Sequence, residues 1–298
     1  MMYEYALDPE VFSSGDRARW IAGLFGLKAG RLVAPLPQDW NERILGAETT
    51  LEKKRIGFCL KKMAEKNAFF RNHGRTRYDP AQPWLENARR EDRSRPFRSI
   101  ITTMGDDGKC LDVNDLDEDD RLMCVNTEKT VPRTPKDMAE AAAPLLRLSR
   151  EIHFVDPHFN PGERRYQSPL REFLLAATAE KTLRVEAFHY HLLGPAGNNN
   201  KPAYDFFRSK CDQHIRRLLP HGTSITFHRW SEMEDSIHAR YILTEIAGIS
   251  YEHGLDSESE RQTTDVKLLT GDVYAVRRRQ YHPESTAFRK VDCHTVET

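Results

Sequence analysis

The chain has 298 residues, enough for one large domain or two ordinary ones with a real core. Hydrophobic residues make up 39% and charged residues 30%, and Lys+Arg and Asp+Glu both total 45, a balance that argues against broad coating of nucleic acid but leaves room for a local basic groove. No window approaches the roughly 18 unbroken apolar residues of a membrane span, the N-terminus has no basic and then apolar leader, and Cys59, Cys110, Cys124, Cys211 and Cys293 show no Cys-x-x-Cys spacing. The expectation is a cytoplasmic protein in a reducing compartment, with no integral membrane contact and no cofactor.

In chain order, Asp16 to Leu27 carries a short helical stripe of Trp20, Ile21, Leu24 and Phe25. Residues 48–71 form the longest predicted helix, with Leu51, Phe58, Cys59, Met63, Phe69 and Phe70 set against Lys53, Lys54, Arg55, Lys61 and Lys62. A solvated basic face is the plain reading, and a polyanion-binding face the alternative. Residues 72–99 are rich in Arg, Asp and Pro and read as irregular. Phe97–Thr103 and Leu122–Thr127 read as a strand pair. The acidic segment between them, Asp112–Asp120, lacks the sixth-position glycine of a calcium loop and reads as a solvated turn. Thr130–Lys136 reads as a linker, and Asp137–Arg150 as a helix.

From residue 151 the rhythm is regular. Glu151–Val155 is a strand ending in Asp156-Pro157-His158. Ser168-Pro169 reads as an N-cap with Pro at the first helical position, opening a helix to about Glu180. Thr182–Phe188 is a strand running into His189-Tyr190-His191, Pro202–Leu219 a helix, Ser224–Trp230 a strand, and Val266–Val276 a last strand region. This alternation predicts an α/β sheet, whose ligands gather beyond the carboxyl ends of strands. Of 12 histidines, 11 follow residue 150 and only His73 precedes it. The second half therefore reads as a separate unit with its own chemistry. His189 and His191 project to one face, and a metal site with Asp156 or His158 is the minor alternative there. Arg277-Arg278-Arg279 reads as a solvated edge, with a nucleic-acid contact as the alternative.

The stretch that gathers these signals is 237–256, a strand, a tight turn and a second strand. Period-two alternation puts His238, Arg240, Ile242 and Thr244 on one face. An Arg fork beside an imidazole suits a phosphate: the guanidinium pairs two oxygens and the imidazole attacks or protonates. Gly254-Leu255-Asp256 places a carboxylate near that pair.

His238, Arg240 and Glu245 resemble the His-x-Lys-x4-Asp motif of the phospholipase D superfamily. His238, Arg240, Gly248 and His253-Gly254-Leu255-Asp256, with Asp156-Pro157-His158 upstream, more closely resemble a divergent branch, the phospholipase D-like C-terminal domain of microtubule-interacting-and-trafficking proteins. The resemblance covers about residues 145–298. It implies an α/β/α sandwich, preceded here by a mixed α+β region over 1–140 that is helical with a short strand pair. It implies a phosphodiester site with His238, Arg240 and Asp256 as its chemistry, supported by Glu245, His189, His191, Asp156, His158 and His253, and no metal. Family chemistry uses two histidines from two motif copies. One copy here implies a homodimer, or a second acid from His189 or His191. The expected function is a metal-independent phosphodiesterase or nuclease in a bacterial defence or toxin context. The alternative is an inert module that binds nucleic acid, a lipid headgroup or a protein partner, with residues 1–140 as adaptor. A metal-dependent hydrolase built on the histidines is a third reading.

Overall fold

In the computed structural model, which describes all residues except 47–49, 71–74, 76, 106–107, 118–119, 180–184, 196–200, 234–236 and 283–284, strands and helices form two sheets, one parallel and one mixed. They belong to two compact units, Met1–Thr127 and Glu128–Thr298. The division falls ahead of the expected boundary near residue 140, because the predicted linker is the first strand of the second unit. His73 and the start of the predicted 182–188 strand lie outside the described residues. Among the described residues no helix is long and apolar enough to cross a membrane.

The first unit runs β1 (Tyr3–Leu7), α1 (Gly15–Leu24), β2 (Arg31–Val33), α2 (Trp40–Leu45), α3 (Leu51–Glu65), α4 (Trp84–Ser94), β3 (Ser99–Thr102) and β4 (Cys110–Asp112). The sheet order is β2-β1-β3-β4, with every pair parallel. Helix α1 is capped by Ser14 and α3 by Thr50, whose hydroxyls accept from the backbone three residues on. Their apolar stripes close a core around Tyr5, Phe25, Trp40, Met63 and Phe69, and the Trp40 indole N–H donates to the Leu7 carbonyl at 2.6 Å. This sheet replaces the expected strand pair. Residues 122–127 form no strand, and α4 occupies the segment expected to be irregular. Helix α4 is hard to read because Arg and Glu dominate its surface; its buried face holds only Asn87, Ala88 and Glu91. The connection between β3 and β4 is unusually short for a parallel pair. Gly105 lies against β4 so closely that a Cβ there would collide with the backbone of Leu111 and Asp112.

The second unit runs β5 (Glu128–Pro132), α5 (Pro135–Leu148), β6 (Glu151–Val155), α6 (Arg164–Thr178), β7 (Ala187–Leu193), α7 (Tyr204–His214), β8 (Ser224–Ser231), β9 (Arg240–Thr244), β10 (Gly248–Tyr251), β11 (Thr263–Leu268), α8 (Gly271–Gln280) and β12 (Arg289–Glu297). The sheet order is β12-β8-β7-β6-β9-β10-β11-β5. Strands β6, β7 and β8 are parallel, and all other pairs are antiparallel. Three expectations are corrected. Helix α6 begins a turn before Ser168-Pro169, so Pro169 sits inside it. The predicted last strand splits into β11 and α8, and β12 follows as a further strand.

Register decides which side chains share a face. Phe154, Tyr190, Phe227, Ile242 and Tyr251 point to one side. There Phe173 of α6 packs on Phe154 and Tyr251, Phe207 of α7 packs on Phe227, and the Tyr251 hydroxyl donates to Met138 of α5. His153, His189, His191, His228 and Trp230 point to the other side, toward α8.

Candidate functional site

Strand β6 ends at Val155, paired with Tyr241 of antiparallel β9, so Asp156 and Arg240 are the next facing residues. Asp156 is buried. Its Oδ1 accepts the His158 backbone N–H and its Oδ2 accepts that of Leu255, both at 2.9 Å. Two sequence features a hundred residues apart, Asp-Pro-His and Gly-Leu-Asp, are thereby tied to one carboxylate. Burial pushes the Asp156 pKa up, against the opposing effect of those two N–H groups and the Arg240 charge.

Asp256, expected beside His238, is also buried, and it pairs instead with Arg133 of the segment after β5, at 2.7 Å. Arg165 of α6 reaches the other Asp256 oxygen at 3.5 Å and is itself held by Glu163 at 2.7 Å. The turn carrying Asp256 is pinned from three sides. Ser257 N–H donates to Arg165 O, Glu258 N–H to Arg133 O, and Arg133 N–H to Gln262 O. Gly254 makes the turn possible: its φ is +126°, and a Cβ would collide with Asp256 Oδ1 and approach Asp156 Oδ2 to 3.6 Å. Gly254→Ala is expected to cost about 1–3 kcal/mol, read as a lower urea midpoint.

These residues line a pocket of about 730 Å³ at the carboxyl ends of β6, β7 and β8. Arg133, Arg165, Lys201, Arg229 and Arg240 contribute cations to its wall, and Asp156, Glu163, Asp256 and Glu258 carboxylates, with His158 and His253 exposed at the rim. Arg229 is committed, since its guanidinium takes Asp292 by two bonds of 2.7 and 2.6 Å and donates to the Pro202 carbonyl. Lys201 donates to Pro157 O at 2.9 Å. Arg240 donates to the His238 carbonyl at 2.8 Å. The Nε atoms of Arg133 and Arg240 are buried with no hydrogen-bond partner among the described residues. Burial lowers the His158 pKa, so its imidazole is neutral near pH 7.

Several expected site residues fall elsewhere. His238 precedes β9 and is exposed, and its side chain is not part of the pocket wall. Glu245 is at the far end of β9, where its carboxylate accepts the Arg150 and Glu151 backbone N–H groups at 2.7 and 3.1 Å. His189 and His191 lie across the sheet from Asp156 and His158 and cannot join them at a metal or at a leaving group. Arg133, Arg165, Lys201 and Arg229 were missed. Thr134-Pro135-Lys136-Asp137, a capping Thr with Pro at the first helical position and an acid at the third, marks α5 and could have ruled out the linker reading around Arg133.

The histidines form their own array. The Trp230 indole N–H donates to His191 Nδ1 at 3.1 Å, leaving the His191 proton on Nε2. That nitrogen meets His153 Nδ1 at 2.8 Å, and His153 Nε2 in turn meets Glu151 Oε1 at 2.9 Å. A donor-only indole at one end and a carboxylate at the other thus fix every tautomer in the chain. Glu151, His153 and His189 have ligand atoms close enough to hold a cation. The donor set fits poorly, because His153 presents a protonated Nε2 and the Arg278 guanidinium already occupies Glu151 and lies 3.1 Å from that nitrogen. A metal there requires that Arg278 withdraw and the tautomers reverse. Burial lowers the pKa of His153, of His189 to about 4 and of His228 to about 3, and that of His191 well below its ordinary value. Its hydrogen bond to His153 holds Glu151 down at about 2.

Comparison with protein-family models and with curated proteins finds no match to this chain.

Proposed function

We propose that the second unit is a phospholipase D-like module that binds a phosphate group, as phosphomonoester or phosphodiester, in the pocket bounded by Asp156, Arg240 and the 254–256 turn. The observation that carries this reading is the convergence of Arg133, Arg165 and Arg240 on one pocket, with the Nε of Arg133 and of Arg240 lacking a partner among the described residues. A buried N–H without an acceptor costs about 1–3 kcal/mol, and a phosphate oxygen supplies the acceptor with opposite charge. Asp156 and Asp256 hold the loops and the Arg133 and Arg165 forks in place, so the donors need little reorganisation on binding. Helices on both faces of the sheet, and the convergence of Asp156, Arg240 and Gly254-Leu255-Asp256, support the resemblance to the phospholipase D-like branch. The exposure of His238 and the placement of His189 and His191 across the sheet favour a binding module over a two-histidine hydrolase.

A second reading, a metal-independent phosphodiesterase, rests on His158, whose neutral imidazole stands at the rim of the same pocket. Titration with inorganic phosphate, a nucleoside monophosphate and a glycerophosphodiester, followed by heat release, separates the two. Arg240→Ala is expected to weaken binding at least tenfold, with no turnover of a chromogenic phosphodiester in EDTA. Turnover that disappears in His158→Ala or His238→Ala would overturn the binding-only reading. Phosphate affinity equal in Arg240→Ala and the parent would remove the pocket from consideration.

A further inference from the structure

The first unit carries a groove of about 400 Å³ between α1 and α3. Its α1 side is formed by Gly15, Arg19, Ala22 and Gly23, spaced along one face of the helix. Its α3 side is formed by Lys54, Arg55, Phe58, Cys59 and Lys62, continued by Lys66 just past the helix end. Lys54, Phe58, Lys62 and Lys66 repeat every four residues, about 6 Å along the axis. Among the described residues the groove is thus walled by five cations and no carboxylate.

The environment of these cations argues against an ordinary solvated face. Glu52 neutralises Arg55 at 3.0 Å and accepts the Gly15 N–H at 2.8 Å, which ties the start of α1 to α3. Among the described residues, Arg19, Lys54, Lys62 and Lys66 have no carboxylate partner. Lys66 donates to the Ala22 carbonyl at 2.9 Å across the groove. The helices touch at one end, where a Cβ on Gly15 would sit 2.8 Å from Arg55 Cβ, and part toward the other, where a Cβ on Gly23 would meet nothing within 4 Å. In the middle stands Phe58, 59% exposed, with the Lys62 ammonium 4.7 Å from its ring centroid. A large aromatic left mostly in water among these cations is not among the residues of the core around Trp40 and Met63.

We propose that this groove binds single-stranded nucleic acid, with phosphates on Arg19, Lys54, Lys62 and Lys66 and a base stacked on Phe58. Cationic tracks with an interleaved aromatic ring are how sequence-tolerant single-strand binding is achieved: the charges follow the backbone and the ring takes any base. A flat anionic bilayer fits less well, because the apolar side chain is set between cationic walls instead of projecting beyond them. The site is chemically independent of the Arg240 pocket.

The test uses the full chain and short fluorescent oligonucleotides of mixed sequence, single-stranded and duplex, titrated across a salt series. The parent is expected to bind the single strand more tightly than the duplex, with affinity falling as salt rises. Lys54→Ala/Lys62→Ala is expected to reduce the log–log salt slope by about 1.4, from about 0.7 for each cation removed. Phe58→Ala is expected to weaken binding about tenfold with the salt slope intact. These side chains are exposed, so urea midpoints should not move, and the same losses should be read in an Arg240→Ala background, where the phosphate pocket no longer contributes. The proposal is overturned if no single strand binds, if the variants bind as the parent does, or if Arg240→Ala alone abolishes binding. Equal response of these variants on phosphatidylserine vesicles, with no oligonucleotide binding, would reassign the groove to a membrane surface.

Discussion

Acidification to about pH 4.5 is expected to unfold the second unit, through its buried histidines. Burial holds the His189 pKa at about 4 and the His228 pKa at about 3 in the folded chain, and both return to about 6.5 when the chain unfolds. Between those values the unfolded state binds more protons, so stability rises with pH and is lost as pH falls below about 6.5. Each unit of pH over that window costs about 1.4 kcal/mol per histidine, so the two together lose about 5 kcal/mol by pH 4.5. His153 and His191 shift in the same direction. Asp156 acts the other way: its folded pKa is raised, so its protonated form is tolerated in the folded state and favours folding at low pH. One carboxyl does not offset four imidazoles, and a domain has only about 5–15 kcal/mol to lose. Melting temperature followed from neutral to acidic pH should fall steeply below about pH 6.5. His228→Gln should flatten the profile, and a profile that stays level down to about pH 4.5 would mean the array accommodates charge.

Arg133→Ala is expected to cost about 3–5 kcal/mol, because it strips a buried carboxylate of its main partner. Asp256 would be left with Arg165 at 3.5 Å, in a side chain only 9% exposed. Asp256→Ala should be as damaging, since it leaves the Arg133 guanidinium inside the protein. The paired replacement Arg133→Met/Asp256→Leu separates the two roles of the pair. It removes both charges together and should recover most of the stability, yet should not recover whatever phosphate affinity the Arg133 donor supplies under the proposed reading. Urea unfolding and phosphate titration on the three variants read both quantities. A single-variant loss below about 1 kcal/mol would show that water reaches Asp256 and replaces the guanidinium.

The parts of the fold that were legible are those where periodicity and burial agree. Strand β6 alternates apolar Ile152 and Phe154 with Glu151 and His153, and β8 alternates Ile225 and Phe227 with Thr226 and His228, a period of two that matches the faces they present. Asp156, His158, Arg240, His253 and Asp256 were each visible as motif residues, and they do meet at one pocket. His189 and His191 were misplaced for a definite reason. Their position at a strand end was clear, but the face they share follows from register, and one residue of offset moves a side chain to the other side of the sheet. Strand β5 buries only Val131, so composition suggested a linker. Helix α8 buries no residue fully, so its Val273, Tyr274 and Val276 were as consistent with a strand as with a helix.

The position of β5 has a consequence for how the pocket forms. It is synthesised first among the strands of its sheet but pairs with β11 at the sheet edge, with Thr130 bonded to Asp265 at a separation of 135 residues. Closing so long a loop is entropically unfavourable until most of the chain between has ordered, so this strand docks late. Arg133 follows directly on β5 and arrives with it. The order of folding therefore leaves Asp256 without its guanidinium through most of the pathway, and the pocket is completed only when the first strand made becomes the last to join.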